Sequence, residues 1–396
     1  MGKRGRNMIL LAAAGVILLS SAGAGFALQK GGARAGREYI EETEYIEETG
    51  VGQGETDVSA GGEIMPEPAK AQEPGDEGLT IQAEKVAASG QTESALGPGE
   101  TRFQEDTEEE RDRASSDIVM LFAGDVYFSD HVLGAYDQAE GIAGVLDEGI
   151  RAEIEAADIF MVNQEFPFTG RGTAAADKQF TFRVPESRMH IMQEMGVDIV
   201  TLANNHILDF GTEGLLDSCR ALDEAGILYV GGGEDFNRAS ALKTIVIGDR
   251  IIGFLGTSRV YMDASWAAGN SHPGVFSTYD TTLPLKAIEE ARSQCDYLVV
   301  YVHWGVEREE TPKEYQINMG RAYIDAGADL VVGSHPHVLQ PVEEYKGKTI
   351  VYSLGNFVFG SSIPRTALLK VVWGQDGAEA SLIPCTSSGG YTRLAE

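Results

Sequence analysis

The sequence predicts an α/β fold, layered around central mixed sheets, over residues 117–396. Three observations predict it. Short apolar runs recur through this region: "DIVMLFA", "ADIFMVN", "VDIVTLA", "RIIGFLG", "CDYLVVYVHW", "ADLVVGS" and "KTIVYSLG". Runs of that length without polar alternation read as strands covered on both faces. Amphipathic stretches with helical spacing, at 212–225, 283–294 and 314–326, lie between several of them. Strands alternating with helices imply a sheet with helices on its faces. The tail differs. "ALLKVVWG" and "AEASLIP" alternate apolar and polar residues, as antiparallel edge strands do.

Two earlier segments lack this texture. Residues 1–28 hold Lys3, Arg4 and Arg6, then an uncharged apolar run from Met8 to Leu28. Such a run can cross the roughly 30 Å core of a bilayer as a helix. Its basic flank should stay in the cytoplasm, which sets the rest of the chain outside the cell membrane. Ala22-Gly23-Ala24 resembles a signal-peptidase site, so a cleaved signal peptide is the rival reading; the length of the run favours an uncleaved anchor. Residues 29–116 are rich in Glu, Gly, Ala, Pro and Ser, with "EYIEET" twice in tandem. They cannot bury a core and read as an acidic disordered linker.

The net charge of -30 divides unevenly. Residues 29–116 carry 8 basic and 22 acidic residues, and 117–396 carry 20 against 39. Nucleic-acid binding needs clustered cations and is excluded as a general role. An anionic ligand would need a local positive site such as a metal. The three cysteines, Cys219, Cys295 and Cys385, are too dispersed for a thiolate metal site and read as buried apolar residues.

Polar residues gather where the apolar runs end: Asp125, Asn163 and Glu165, Asn204 to His206, His303 with Glu307, His335 with His337, and Asn356. In α/β sheets ligands bind beyond the carboxyl ends of strands. A mixed carboxylate, amide and imidazole set suits a divalent ion such as Mn, Zn or Fe. In "GSHPH", Pro336 disfavours the helical region at His335. An extended backbone there would aim both rings to one side. The remaining histidines, His131, His190 and His272, read as ordinary residues.

Seven segments carry a resemblance: "GDV" at Gly124, "NQE" at Asn163, "FTFRVP" at Phe180, "ANNHILDFG" at Ala203, "HWGVE" at His303, "GSHPHVLQ" at Gly333 and "SLGNF" at Ser353. In this order they resemble the CapA family of poly-γ-glutamate capsule synthesis proteins, which is similar to calcineurin-like metallophosphoesterases. The resemblance covers roughly residues 118–359 and implies a metallophosphatase-like α/β sandwich binding one or two ions. It implies Asp125, Glu165, Asn205, His303, His335 and His337 as metal ligands, with Glu165 near the bridging position. It implies His206 as the histidine assisting a leaving group. Asp209 is suited to orient His206, and Arg183 to grip an anion through its guanidinium fork. Tyr127 stands where metallophosphoesterases have a first-motif histidine. The implied role is synthesis or export of poly-γ-glutamate, with that polymer or its machinery as partner. A metal-dependent hydrolase of phosphoesters or amides, and a non-catalytic surface scaffold, are the alternatives.

Overall fold

The computed structural model describes residues 117–360 and 362–395. The expected anchor and linker, residues 1–116, lie outside the described residues. Among those described, no helix is long and apolar enough to cross a membrane.

The chain opens with β1 (Ile118–Val126), α1 (Asp130–Ala139), α2 (Glu148–Ala156) and β2 (Ile159–Gln164). It continues through α3 (Met189–Glu194), β3 (Ile199–Thr201), α4 (Gly211–Ala225), β4 (Leu228–Val230) and β5 (Gly232–Gly233). Next come α5 (Phe236–Ala239), β6 (Lys243–Ile247), β7 (Arg250–Ser258), β8 (Gly274–Val275) and α6 (Thr282–Arg292). Then follow β9 (Tyr297–His303), α7 (Glu314–Ala326), β10 (Leu330–Ser334), β11 (Val342–Tyr345) and β12 (Lys348–Val351). The described part closes on β13 (Asn356–Val358), β14 (Ser362–Gly374), β15 (Gly377–Ser388) and β16 (Tyr391–Leu394).

Two large sheets result. The eight-stranded sheet runs β16-β15-β14-β1-β2-β3-β4, with β13 also on β1. The six-stranded sheet runs β11-β12-β10-β9-β7-β6. Side-chain alternation along a strand decides which core each residue enters. Met120, Phe122, Ile159 and Met161 of one sheet share a core with Phe254, Val299, Tyr301 and Val332 of the other. Their sequence neighbours face outward. Leu121, Phe160 and Val200 pack with Val132, Ile150, Met192 and Leu215 of α1 to α4. Val300, Val302 and Val331 pack with Ile288, Met319 and Tyr323 of α6 and α7. The fold is therefore a four-layer α/β/β/α sandwich, and burial of each large apolar side chain contributes about 1.5–3 kcal/mol.

The expected helices and strands are present, and β14 to β16 form the antiparallel edge. All three cysteines are free and buried. β1, β2, β3 and β4 are mutually parallel, as are β7, β9, β10 and β12. Parallel strands put their carboxyl ends along one rim, and a Tyr301 hydroxyl donating to the Ala123 carbonyl at 2.8 Å ties the two sheets near that rim. Gly124 lets β1 reach it. A Cβ there would lie 1.8 Å from the Gly355 carbonyl oxygen, the group that accepts from Asp125 N at 3.0 Å.

Candidate metal centre

The carboxyl ends of the two sheets bring the expected residues together. Asp125, next to last in β1, is in register with Asn163 of β2 and Asn356 of β13. Glu165 follows β2, and Asn204 to His206 follow β3. From the facing sheet, His303 ends β9 in register with Ser334 of β10, directly before His335. Asp125, Glu165 and His303 are fully buried, and His335 is nearly so. Donor atoms of Glu165, His303 and His335 all lie within 4.8 Å of one another; so do those of Asp125, Glu165 and His337, and those of Glu307, His335 and His337. Glu165 belongs to the first two groups, which places its carboxylate between them.

The arrangement is held by amides. Asn163 Nδ2 donates to Asp125 Oδ1 at 2.8 Å and lies 3.4 Å from His303 Nδ1. Asn204 Nδ2 donates to Asn163 Oδ1 at 3.0 Å, and Asn204 Oδ1 accepts from the backbone N–H of His206 and Ile207. Ser334 Oγ lies 3.0 Å from His303 Nδ1, which turns His303 Nε2 toward Asn205 Oδ1 at 2.8 Å and Glu165 Oε1 at 3.5 Å. Ligand atoms around one ion with bonds of about 2.0–2.2 Å sit about 3 Å apart, so this spacing fits a metal. A partner on the far ring nitrogen is how ligating histidines are oriented.

The strongest indication is an unmet need. Both Glu165 oxygens and His335 Nδ1 are buried without a hydrogen-bond partner among the described residues. A buried polar atom left unpaired costs roughly 1–3 kcal/mol. A divalent cation held by Glu165 and His335 would supply the partner such atoms lack. Protonation follows the same logic. Burial, then the nearby Asp125 charge, pushes the Glu165 carboxyl well above its usual range. Burial opposes charge on His337, yet the Glu165 and Asp125 carboxylates outweigh it and hold this imidazole up to about 10. Burial pushes His335 down to about 3 and His303 well below the usual range. Those two imidazoles are kept neutral, the state a ligand needs.

One expectation needs correction. His335 and His337 do converge, with ring centroids 5.9 Å apart, but not along an extended backbone. Their φ angles are +98° and +59°. Pro336 does exclude the helical region at His335; the chain responds by crossing to positive φ. The bend is pinned from both sides: His335 N donates to Asp125 Oδ2 at 3.3 Å, and Arg308 N donates to the Pro336 carbonyl at 2.8 Å. Backbone strain of this kind costs on the order of 1–3 kcal/mol per residue and persists where surrounding structure holds it.

His206 and Asp209 form the expected pair. His206 Nδ1 lies 2.7 Å from Asp209 Oδ2, so the ring donates there and its other nitrogen is left for chemistry. Burial holds His206 below its usual range despite this bond. Arg183 is exposed, with its guanidinium 4.2 Å from the centre of the Phe210 ring. The cation at the pair is Lys178, which donates to Asp209 Oδ1 and to the Asn205 carbonyl and lies 3.0 Å from His206 Nδ1. Lys178 sits in an irregular loop with no pattern to mark it. The amides Asn163 and Asn204 were legible as strand-end residues, but not their role in orienting ligands. Tyr127 stacks on Phe182 at 4.1 Å, and Phe182 stacks on His206 at 4.0 Å.

The model of the family described as bacterial capsule synthesis protein PGA_cap matches residues 119–361. PGA biosynthesis protein CapA of Bacillus subtilis (strain 168) is 32% identical over 257 residues, 64% of this chain and 66% of that protein. Capsule biosynthesis protein CapA of Bacillus anthracis is 31% identical over 261 residues, 64% of this chain and 62% of that one. The chain thus spans slightly less than two thirds of the length of these relatives. A novel phosphatase from Mycoplasma pneumoniae superposes with a TM-score of 0.45 at 12% identity, over 69% of this chain and 95% of that one. The PGA_cap match takes in every strand-end residue gathered at the centre, from Asp125 to Asn356, and this chain belongs to that family.

Proposed function

We propose that this chain is a membrane-anchored, extracytoplasmic protein acting in poly-γ-glutamate synthesis or export through a divalent-metal centre at the carboxyl ends of its strands. The family membership supports the pathway, and the capsule role in the names of the two Bacillus relatives supports the polymer. The observation that carries the metal is Glu165, fully buried with two unpartnered oxygens between His303, His335, Asp125 and His337. Mn, Zn or Fe suits this oxygen and nitrogen set. A bound ion would supply a Lewis acid that polarises a phosphoryl or acyl oxygen and acidifies water. Asp125, Glu165, Asn205, His303, His335 and His337 would hold it. Asp209 fixes the tautomer of His206, so that His206 can pass a proton to a leaving group. Lys178 gives this otherwise acidic site a local positive charge for a carboxylate or phosphate.

The His206 and Asp209 pair favours hydrolysis over a purely structural centre. The test is turnover and polymer binding by the 396-residue chain. Turnover of a phosphoester or a γ-glutamyl amide should vanish with chelator, return with Mn or Zn, and be lost in His206→Ala. Polymer binding should be lost in the His335→Ala/His337→Ala variant. Metal-loaded protein that turns over neither class, with binding intact in the double variant, would leave only the scaffold reading.

A further inference from the structure

The residues that follow β7 lie against the metal centre without belonging to it. Ser258, the last residue of β7, is in register with His303, and Arg259 N donates to the His303 carbonyl at 2.8 Å. The Arg259 side chain meets two tyrosine rings. Its guanidinium carbon is 4.8 Å from the centre of the Tyr279 ring and 4.7 Å from that of Tyr315. Tyr315, on α7, is tied to the loop after His303, since its hydroxyl accepts from Gly305 N at 2.8 Å. Tyr279 is steadied from its other side. Its backbone N–H donates to Ser277 Oγ at 3.3 Å, that hydroxyl lies 2.6 Å from the Tyr261 hydroxyl, and the Tyr261 ring meets the Tyr279 ring edge-on at 5.1 Å.

This clamp holds a cation and gives it no counter-charge. Among the described residues no carboxylate forms an ion pair with Arg259, and the one hydrogen bond of its guanidinium, to the Thr278 carbonyl, is long at 3.5 Å. Arg171, Arg188, Arg220, Arg292, Arg321 and Arg365 all pair with carboxylates, and Lys178 donates to Asp209 Oδ1. Acidic residues outnumber basic ones 39 to 20 over residues 117–396, so an arginine steadied by rings alone is poised for an anion from outside. A guanidinium carries five N–H donors, and aromatic faces hold it without using them. Met262 and Val306, in the segments that carry the clamp, are exposed, as is Tyr279. The surface therefore offers one positive charge set among apolar side chains. A carboxylate matches that single charge. A doubly charged phosphate would leave one negative charge over, beside a loop that already carries Glu307, Glu309 and Glu310.

Resting on the poly-γ-glutamate reading above, we infer that Arg259, clamped by Tyr279 and Tyr315, is a subsite that binds one carboxylate of the polymer while another unit of the same polymer lies at the metal centre. The guanidinium forks onto the carboxylate. The tyrosine faces, with Met262 and Val306, take the methylene groups between successive carboxylates. Two points of contact on one polymer raise each other's effective concentration. A chain long enough to reach both therefore binds more tightly than a single glutamate, and the protein selects polymer over monomer.

The test is titration calorimetry on the 396-residue chain, loaded with Mn and desalted, against poly-γ-glutamate, free glutamate, methyl-esterified polymer and polyphosphate. Arg259→Gln should weaken polymer binding roughly tenfold and shrink the advantage of polymer over free glutamate. Arg259→Lys, which keeps the charge but not the fork, and Tyr279→Ala should each lose part of that affinity. The esterified polymer should bind wild type and Arg259→Gln alike. Elemental analysis after each titration should find the metal content of wild type in every variant, which separates the subsite from the centre. Circular dichroism checks that each variant is folded; if Arg259→Gln is not, wild-type affinity in both Arg259→Lys and Tyr279→Ala overturns the subsite. Equal polymer affinity in wild type and Arg259→Gln overturns it too and leaves the poly-γ-glutamate reading standing. An equal loss of polyphosphate binding in Arg259→Gln overturns the assignment to carboxylate. No binding of polymer by wild type overturns both the subsite and the reading it rests on.

Discussion

The two sheets bring different chemistry to the same rim. The eight-stranded sheet delivers oxygen: Asp125 lies at the end of β1, and Glu165 and Asn205 follow β2 and β3. The six-stranded sheet delivers nitrogen: His303 ends β9, and His335 and His337 follow β10. Each half is incomplete alone. The oxygen side concentrates buried carboxyl groups, with both Glu165 oxygens lacking a hydrogen-bond partner among the described residues. The nitrogen side holds imidazoles that burial keeps neutral at His303 and His335. The centre exists only when the core between the sheets has closed, so metal affinity and the docking of the two sheets report on each other.

The comparison can be broken most forcefully at its floor. Gly124→Ala drives a Cβ to 1.8 Å from the Gly355 carbonyl, and Gly333→Ala to 2.1 Å from that of Tyr352. Each is expected to destabilise the fold by about 3 kcal/mol through overpacking of backbone, read by denaturant unfolding. A loss in one variant only would show that one sheet yields where the other does not. Next is Glu165→Gln. At a hundredfold excess over Kd a metal adds about 2.7 kcal/mol to a protein that binds it. That gain should appear in wild-type thermal melts and be absent from the variant, whose metal-free form should melt no lower than metal-free wild type. Tyr301→Phe removes the direct tie from the six-stranded sheet to Ala123. It should cost about 1 kcal/mol, and a double-mutant cycle with Glu165→Gln measures whether the tie and the centre are coupled.

The smallest effect sharpens the comparison from outside it. Asp217, on α4, accepts from Arg171 and from Thr169 Oγ1, and the Arg171 bond chiefly holds its carboxyl below the usual range. A depressed folded pKa contributes stability that is present above the unfolded value near 3.9 and is lost as pH falls through the folded one. The stability gap between wild type and Asp217→Asn should therefore narrow on acidification, with or without metal. A gap that depends on metal would mean that the helical layer and the centre communicate.

The strands and most of the centre were legible because burial on both faces leaves a continuous apolar run, and the first polar residues after such a run stand at the rim. That reasoning located Asp125, Glu165, Asn205, His303, His335 and His337 without knowledge of pairing. It stopped where position depends on loops: Lys178 reaches Asp209 from a stretch with no period. The bend at His335 and His337 was misread for a different reason. Pro336 says which backbone region is closed, and only the contacts from Asp125 and Arg308 determine which one is taken. The setting of Tyr127 also needed three dimensions, since its ring partners Phe182 and Phe359 are remote in sequence.

The bond from His335 N to the Asp125 carboxylate joins residues 210 positions apart. Closing so long a loop carries an entropic cost that must be met before the contact gives anything back. The donor set is therefore expected to assemble late in folding, once β1 to β3 and β7, β9 and β10 have formed and stacked. An ion recruited at that stage leaves the rate of folding nearly unchanged and acts on the rate of escape. A metal bound there would serve as a time lock on the native state.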